Sequence, residues 1–152
     1  MIYHFENASE SNRAWLEELR RAANYDLFIV TFGTWDEQRH QRHCDECWNE
    51  GEISMVVVGG SKIGMIQLFQ RADEVEVGEI QIHPDHQNQK IGTQLLEDVV
   101  AEAHQEGKSV VLSVGLKNEN AHRLYNRLGF DRVGQNDTHL RMRYLPPRRT
   151  RR

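Results

Sequence analysis

The stretch HPDHQNQKIGTQLL, from His83 to Leu96, decides how the second half of this chain folds. An alternating strand pattern precedes it, and a proline and a polar loop then lead into a helix that we expect to begin at Gly92. Backbone N–H groups at a helix start lack intrahelical partners and lie at the positive end of the helix dipole. The junction therefore predicts a site that binds a phosphate or pyrophosphate group.

Working outward from this junction, apolar periodicity and turn residues predict the order β-α-α-β-β-β-α-β-α-β-β. The predicted strands are 2–5, 53–58, 63–69, 74–82, 110–114, 130–133 and 138–144. The predicted helices are one capped near Ser9 or Ser11, 36–49, 92–106 and 120–128. The β-rich, glycine-broken run LFIVTFGTW at 27–35 separates the first two helices. We expect an α/β (α+β) fold: one domain over 1–145, with a mixed, largely antiparallel sheet of about seven strands and helices on both faces.

Composition and charge restrict the class of protein. Hydrophobic residues make up 38% and charged residues 28% of the 152 residues, as in an ordinary soluble domain. No apolar run approaches the roughly 20 residues of a membrane span. The first ten residues lack a secretory signal and two cysteines make no disulfide framework, so we expect a cytoplasmic protein with no membrane partner. The net charge of −4 argues against nucleic acid and favours cationic partners such as amines.

The tail, PPRRTRR at 146–152, is the basic exception. Its two prolines end the preceding strand and its four arginines follow alone, so we expect it to be disordered. A nucleic-acid arm and an oligomer contact are the alternative interpretations.

The run of His40, His43, Cys44 and Cys47 suggests zinc at first sight. On a helix the four positions share one face, but that face spans about 10 Å, whereas zinc ligands lie ~2.0–2.3 Å from the metal. The four side chains therefore cannot share one ion, although a pair such as His40 with Cys44 could bind one opportunistically. We predict no metal site.

A second motif follows the first along the chain. Its positions are Asn118, Ala121, Leu124, Tyr125, Gly129 and Phe130. With Gln87 to Gly92, this pattern makes the sequence resemble the GNAT superfamily of N-acetyltransferases, from about Met1 to Tyr144. In that family, Gln-x-x-Gly-x-Gly opens a helix that holds the pyrophosphate of acetyl-CoA, and Asn-x-x-Ala-x-x-Leu-Tyr-x-x-x-Gly-Phe is a further signature. The resemblance implies acetyl-CoA as co-substrate and an amine as acceptor.

Lys90 departs from the family pattern, which usually has glycine at this position. If the backbone φ is positive there, a lysine adds strain of roughly 1–2 kcal/mol. Its ammonium group would in turn attract a phosphate, so sequence alone leaves the net effect on CoA affinity open.

The resemblance also implies roles for individual residues. Backbone groups of Ile80 to Ile82 would pair with the pantetheine arm, and Asn118 would bind it or cap its own helix. The expected CoA-binding residues are Ile80, Gln81, Ile82, Gln87, Asn88, Gln89, Lys90, Ile91, Gly92, Thr93, Asn118 and Tyr125.

Acetyl transfer to an amine needs a group that accepts the amine proton, because an alkyl amine with a pKa of about 10 is protonated at neutral pH. Glu79, on the strand that leads into the loop, is the expected base, and Glu76 is its rival. Three positions apart on a regular strand, the two side chains face opposite sides. Tyr125 resembles the family tyrosine that protonates the departing thiolate.

The acceptor is a small molecule or a peptide amine, and the motifs do not choose between them. Trp35, Glu79 and His139 are the expected substrate contacts. Dimerisation is common in the family, although no residue here indicates a homodimer interface. A non-catalytic acetyl-CoA-binding or adaptor module is the alternative function.

Overall fold

The structure, a computed structural model, describes residues 2–87 and 89–146. Asn88, one of the expected CoA-binding residues, lies outside the described residues. The same holds for Met1 and for 147–152, which include the four arginines of the predicted tail.

The described residues form seven strands and four α-helices in the predicted order. The strands are β1 His4–Asn7, β2 Ile53–Val58, β3 Ser61–Gln70, β4 Glu74–Ile82, β5 Ser109–Gly115, β6 Asp131–Gln135 and β7 His139–Tyr144. The helices are α1 Arg13–Phe32, α2 Glu37–Glu50, α3 Ile91–Gln105 and α4 Glu119–Leu128. The strand order in the sheet is β1-β2-β3-β4-β5-β7-β6. The predicted α/β class with a seven-stranded, mostly antiparallel sheet is confirmed.

Helix α1 is longer than the sequence pattern indicates. The β-rich run continues the helix to Phe32, and Gly33 ends it in the left-handed conformation at φ 84°. Phe28 and Phe32, four residues apart, lie on one helix face with ring centroids 4.6 Å apart, and Phe28 also contacts Trp35 at 5.0 Å. Aromatic packing along one helix face therefore overrides the β propensity of these residues.

The start of α1 also differs in detail from the prediction. Ser9 caps a short 3-10 helix, Glu10–Asn12, which runs directly into α1. The backbone N–H of Ser9 donates to Oδ1 of Asn12 at 2.9 Å. Ser9 is therefore the cap of this entry turn, and Ser11 lies within it.

Contacts between Cα atoms divide the chain into two compact units, 1–68 with 79–92 and 69–78 with 93–152. In the first unit, β1 pairs antiparallel with β2, and β2 pairs antiparallel with β3. A buried apolar cluster joins helices α1 and α2 to strands β2 and β3 in this unit. The cluster consists of Leu16, Leu19, Cys47, Met55 and Met65.

Gln67 on β3 closes the end of α2 in this unit. Its buried amide Nε2 donates to the carbonyl oxygens of Cys47 at 3.0 Å and Gly51 at 2.8 Å. Carbonyls at a helix C-terminus have no intrahelical donor, so the amide satisfies groups that would otherwise be unpaired. The side chain thereby fixes α2 against the strands.

In the second unit, the first half of β4 pairs parallel with β5, from Glu74 opposite Ser109 to Val77 opposite Leu112. Helix α3 connects these parallel strands and is followed by Gly107 at φ 73°. β7 pairs antiparallel with both β5 and β6. The predicted strand-helix-strand crossover is therefore confirmed.

Gly64 on β3 occupies a position where a larger residue does not fit. A Cβ atom there would lie 2.5 Å from the carbonyl oxygen of Gln81 and 2.9 Å from Cδ1 of Ile82. The backbone of β3 thus approaches the end of β4 more closely than any side chain allows. This approach fixes the strand end that leads into the predicted phosphate-binding loop.

We expect Gly64→Ala to lower the free energy of unfolding by about 1–3 kcal/mol, because the backbone oxygen of Gln81 must move to admit the methyl group. Gly134→Ala is the matched control, since a Cβ there meets only Cβ of Arg141 at 3.9 Å. Urea unfolding of both variants measures the difference. Equal stability of the two variants would contradict the close approach.

Candidate functional site

The predicted phosphate-binding loop folds compactly at the end of β4. The His83 backbone N–H donates to the carbonyl of Ile63 at 2.8 Å, and a 3-10 turn follows at Pro84–His86. The Gln87 side chain then donates back to the carbonyl of Ile82 at 2.9 Å. Helix α3 begins at Ile91, one residue before the predicted start. The N–H groups of its first turn have no intrahelical acceptor and are the donors that a pyrophosphate needs.

Lys90 and Gly92 define the chemistry of this loop. Lys90 has φ 63°, so the condition for backbone strain at this position is met. Its side chain and that of Gln89 are exposed, and a Cβ built on Gly92 meets no heavy atom within 4 Å. An exposed ammonium group beside an uncrowded helix start fits a pyrophosphate. Thr93, the next expected contact, is half-buried.

Glu79 is held by three side chains of the first unit. Its Oε1 lies 3.2 Å from Nη2 of Arg20 and 2.5 Å from Nε2 of His43, and its Oε2 accepts from Nε2 of Gln81 at 2.6 Å. The Glu79 side chain is 17% exposed. This cluster brings together side chains from α1, α2 and β4. Two of them, Arg20 and His43, were not expected at the site from the sequence.

Arg20 is the buried cation of this cluster, with a side chain that is only 4% exposed. Its Nε and Nη1 atoms have no hydrogen-bond acceptor among the described residues. An adjacent cavity of about 20 Å³, lined in part by Arg20 and Cys47, has room for a single water molecule. A cavity of this volume does not accommodate a polyamine or a peptide acceptor.

Three polar contacts hold α2 against α1 and so place His43 near Arg20. Arg13 donates to Asp45 at 3.0 Å, and Gln41 donates to Glu17 at 3.1 Å. Arg21 pairs with Glu37. Side-chain contacts at both ends of α2 therefore fix its position on α1.

Glu76, the rival base, lies in a different environment in the second unit. Its Oε1 pairs with Arg71 at 2.6 Å and its Oε2 with Arg141 at 2.9 Å. The Arg71 guanidinium, assisted by Arg141, holds the pKa of this carboxyl below its usual range although partial burial opposes the shift. A carboxylate engaged on both oxygens by guanidinium groups is a weak proton acceptor.

Tyr125 and Asn118 both belong to α4 and its start. Tyr125 is buried, and its ring lies 5.7 Å from that of Phe130. Asn118 caps the helix, since its Oδ1 accepts from the N–H of Ala121 at 3.2 Å. The capping role, one of the two expected for Asn118, is therefore observed. The pantetheine role stays a prediction.

The expected acceptor contacts Trp35 and His139 have partners within their own units. The Trp35 indole donates to Glu37 at 2.6 Å, and its ring lies 5.2 Å from the ring of His40. Arg21 and then Trp35 lower the pKa of Glu37 to about 2. His139 is exposed on β7, with Nδ1 2.8 Å from the Thr138 hydroxyl. The roles of Trp35 and His139 as substrate contacts therefore stay predictions.

The residues whose backbone is expected to bind pantetheine, Ile80 to Ile82, are the last three of β4. Ile80 and Ile82 are half-buried, whereas Gln81 is buried with its amide on Glu79. The carbonyl of Ile82 is one acceptor of the Gln87 side chain.

Sequence reasoning missed Arg20 and misread His43. Arg20 follows Leu16 by four residues and therefore lies on the buried face of α1, where an unpaired charge is unusual. An arginine on the buried face of a predicted helix was therefore the sequence signal that could have identified Arg20 as a site residue. His43 was considered only as a zinc ligand, yet its imidazole lies on Glu79, whereas His40 lies 3.6 Å from the sulfur of Cys44.

Within 2–87 and 89–146, no group of three or more histidine, cysteine or acidic side chains is placed to hold a metal ion. In that same part of the chain, none of the helices has the length and apolar character needed to cross a membrane.

Comparisons with known proteins agree with this architecture. The model of the acetyltransferase (GNAT) family matches residues 13–130. The PaiA N-acetyltransferase from Thermoplasma acidophilum, solved with coenzyme A, is similar in structure, with TM-score 0.73, 18% identity, and 95% of this chain and 99% of that chain covered. A comparison with curated protein sequences gives no match.

Two further solved structures share the fold. The ribosomal-protein-S18-alanine N-acetyltransferase from Escherichia coli has TM-score 0.70 and 20% identity, with 98% of this chain and 97% of that chain covered. A GNAT family acetyltransferase from Elizabethkingia anophelis with acetyl-CoA bound has TM-score 0.63 and 18% identity, with 95% and 97% covered. At these identities the likeness concerns the fold.

We expect Lys90→Gly to raise the free energy of unfolding by about 0.5–1 kcal/mol, because glycine adopts positive φ without the steric cost. Glu52, at φ 59°, is the only other non-glycine residue with positive φ among the described residues, and Glu52→Gly is the matched control with the same expected gain. Denaturant unfolding of both variants tests the expectation. A loss of stability on Lys90→Gly alone would show that the lysine side chain makes a stabilising contact.

Proposed function

The chain belongs to the acetyltransferase (GNAT) family, and we propose that it transfers the acetyl group of acetyl-CoA directly to a primary amine in a ternary complex. The observation that carries this proposal is the loop before α3, where free helix N–H groups, an exposed Lys90 and an uncrowded Gly92 offer a pyrophosphate site. The acceptor is the amine of a small molecule, a protein N-terminus or a lysine.

Acetyl-CoA would be held mainly by backbone groups. The N–H groups of Ile91, Gly92 and Thr93 would bind the pyrophosphate, with Lys90 adding a positive charge. Gln87, Asn88 and Gln89 complete the loop in this proposal. The backbone of Ile80 to Ile82 and the Asn118 side chain would bind the pantetheine arm.

The amine must lose a proton before or during attack on the thioester, and we assign collection of this proton to Glu79, directly or through a group bonded to it. Its environment supports this choice over Glu76. Both oxygens of Glu76 face guanidinium groups that lower its pKa. Glu79 instead faces a single guanidinium group and an imidazole that reaches solvent.

Tyr125 is the proposed donor of a proton to the CoA thiolate. A phenol with its ordinary pKa of about 10 can protonate a thiolate as the carbon–sulfur bond breaks. Burial of the ring beside Phe130 holds it in one orientation, which such a donor requires. Trp35 and His139 are the proposed walls of the acceptor site.

The acceptor class is the open part of this proposal. The acidic net charge of −4 supports a cationic acceptor such as a polyamine or a basic peptide. The Escherichia coli ribosomal-protein-S18-alanine N-acetyltransferase of the same fold supports peptides beginning with alanine as members of the test panel.

The experiment that tests the proposal is isothermal titration with acetyl-CoA, followed by a thiol-release screen over small amines, polyamines and peptides. We expect binding and release of CoA with at least one amine. Binding without release on any amine would favour the alternative, a non-catalytic acetyl-CoA-binding module. Absence of binding would contradict both.

Tyr125→Phe is expected to lower kcat by about 10²–10⁴ while changing KM little, because it removes only the proposed proton donor. Tyr144→Phe is the matched control, since its ring also packs on Phe130, at 5.4 Å. Steady-state kinetics with the best amine compares the two variants. Equal rates for both variants would remove Tyr125 from the mechanism.

A further inference from the structure

The imidazole of His43 is the solvent-facing part of the Glu79 cluster. Its Nε2 lies 2.5 Å from Oε1 of Glu79, and the His43 side chain is 53% exposed whereas that of Glu79 is 17% exposed. A substrate arriving from solvent therefore meets the imidazole more readily than the carboxylate.

The hydrogen bonds fix which nitrogen of His43 is free. An ionised carboxylate can only accept hydrogen bonds, so the Nε2 atom that faces Glu79 carries the proton. In the neutral ring Nδ1 is then an acceptor, and no hydrogen bond within the described residues occupies it.

Glu79 has little capacity left to accept a proton from a substrate. A carboxylate offers about four lone-pair positions. Arg20, His43 and Gln81 direct three donors at them, and the Arg20 side chain is itself buried. This arrangement is suited to holding an imidazole in one tautomer rather than to direct contact with the amine.

We propose that His43 is the catalytic residue that takes the proton of the acceptor amine on Nδ1, and that Glu79 is the positioning residue that orients its ring and balances its charge. The inference rests on the proposed acetyl transfer and names the group through which Glu79 collects the proton. His43 was singled out in the sequence only as part of a cysteine and histidine run.

The proton balance of the reaction is complete with this assignment. The acceptor arrives as an ammonium ion and gives one proton to Nδ1 of His43, which becomes an imidazolium beside the Glu79 carboxylate. The neutral amine then forms the nitrogen–carbon bond as the carbon–sulfur bond breaks. Tyr125 gives its proton to the CoA thiolate and regains one from the second proton of the amine, and the imidazolium releases the first proton to solvent. The net products are an amide, CoA thiol and one proton.

Histidine is the residue type whose ordinary pKa, about 6.5, lies closest to neutral pH, and His43 is the histidine of this pair. Arg20, from α1, donates to the same carboxylate oxygen of Glu79 that faces His43. On α2, burial raises the pKa of the Cys44 and Cys47 thiols to about 11, and burial followed by Arg21 lowers the pKa of His40. Gln81, from β4, does not titrate. Activity should accordingly fall as the pH drops and His43 becomes protonated.

The kinetic test compares His43→Gln and Glu79→Gln with the exposed control His4→Gln. We expect His43→Gln to lower kcat/KM at pH 7 by about 10²–10⁴ and to remove the acidic limb of the pH profile, with acetyl-CoA affinity changed less than twofold. Glu79→Gln should keep that limb and move it to lower pH, because the imidazolium loses its carboxylate. Loss of the limb in Glu79→Gln and its retention in His43→Gln would overturn the assignment in favour of Glu79.

Histidine ring NMR tests the pair without turnover. The signal missing from the His43→Gln spectrum identifies His43, and we expect its titration midpoint to move to lower pH in Glu79→Gln. An unchanged midpoint would show that the pair is absent in solution and would overturn the proposal. If the wild-type protein binds acetyl-CoA but acetylates no amine, the proposed function fails and the role of His43 as base fails with it. If turnover is normal in His43→Gln, only the present inference fails.

Discussion

The ion pair between Arg20 and Glu79 is the constraint on which the rest of the first unit depends. Burying a guanidinium is costly unless a partner offsets the lost hydration. The Arg20 side chain is 4% exposed and contacts Glu79, 59 positions along the chain, at 3.2 Å. The pair therefore fixes α1 to the end of β4 in the orientation that the charges require.

The remaining contacts of the cluster follow from that pair. Once Glu79 is fixed, its second oxygen accepts from Gln81, two residues along the same strand and so on the same face. α2, held on α1 by its own polar contacts, brings His43 to the first oxygen. A charge buried for structural reasons thus leaves one exposed imidazole beside a carboxylate, which is an arrangement suited to proton transfer.

Local patterns made much of this fold predictable, and contacts between distant residues account for what was not. Asn118 was expected as a possible helix cap, and its Oδ1 accepts the backbone N–H of Ala121, three residues ahead. α1 was expected to end earlier because its last turn is rich in β-forming residues. Packing of Phe28 on Phe32 and Trp35, which a propensity argument does not count, keeps this turn helical. The two acidic candidates were likewise visible in the sequence. The sequence did not show which partners each of them has. Glu76 contacts two arginines, whereas Glu79 contacts an arginine, a histidine and an amide.

The most direct test of this account is a double-mutant cycle on unfolding free energy with Arg20→Met, Glu79→Gln and the double variant. The account predicts that Arg20→Met alone destabilises strongly and that the two substitutions are coupled by about 1–3 kcal/mol, because each leaves a partner unpaired. Additivity within about 0.5 kcal/mol would contradict the central role of the pair.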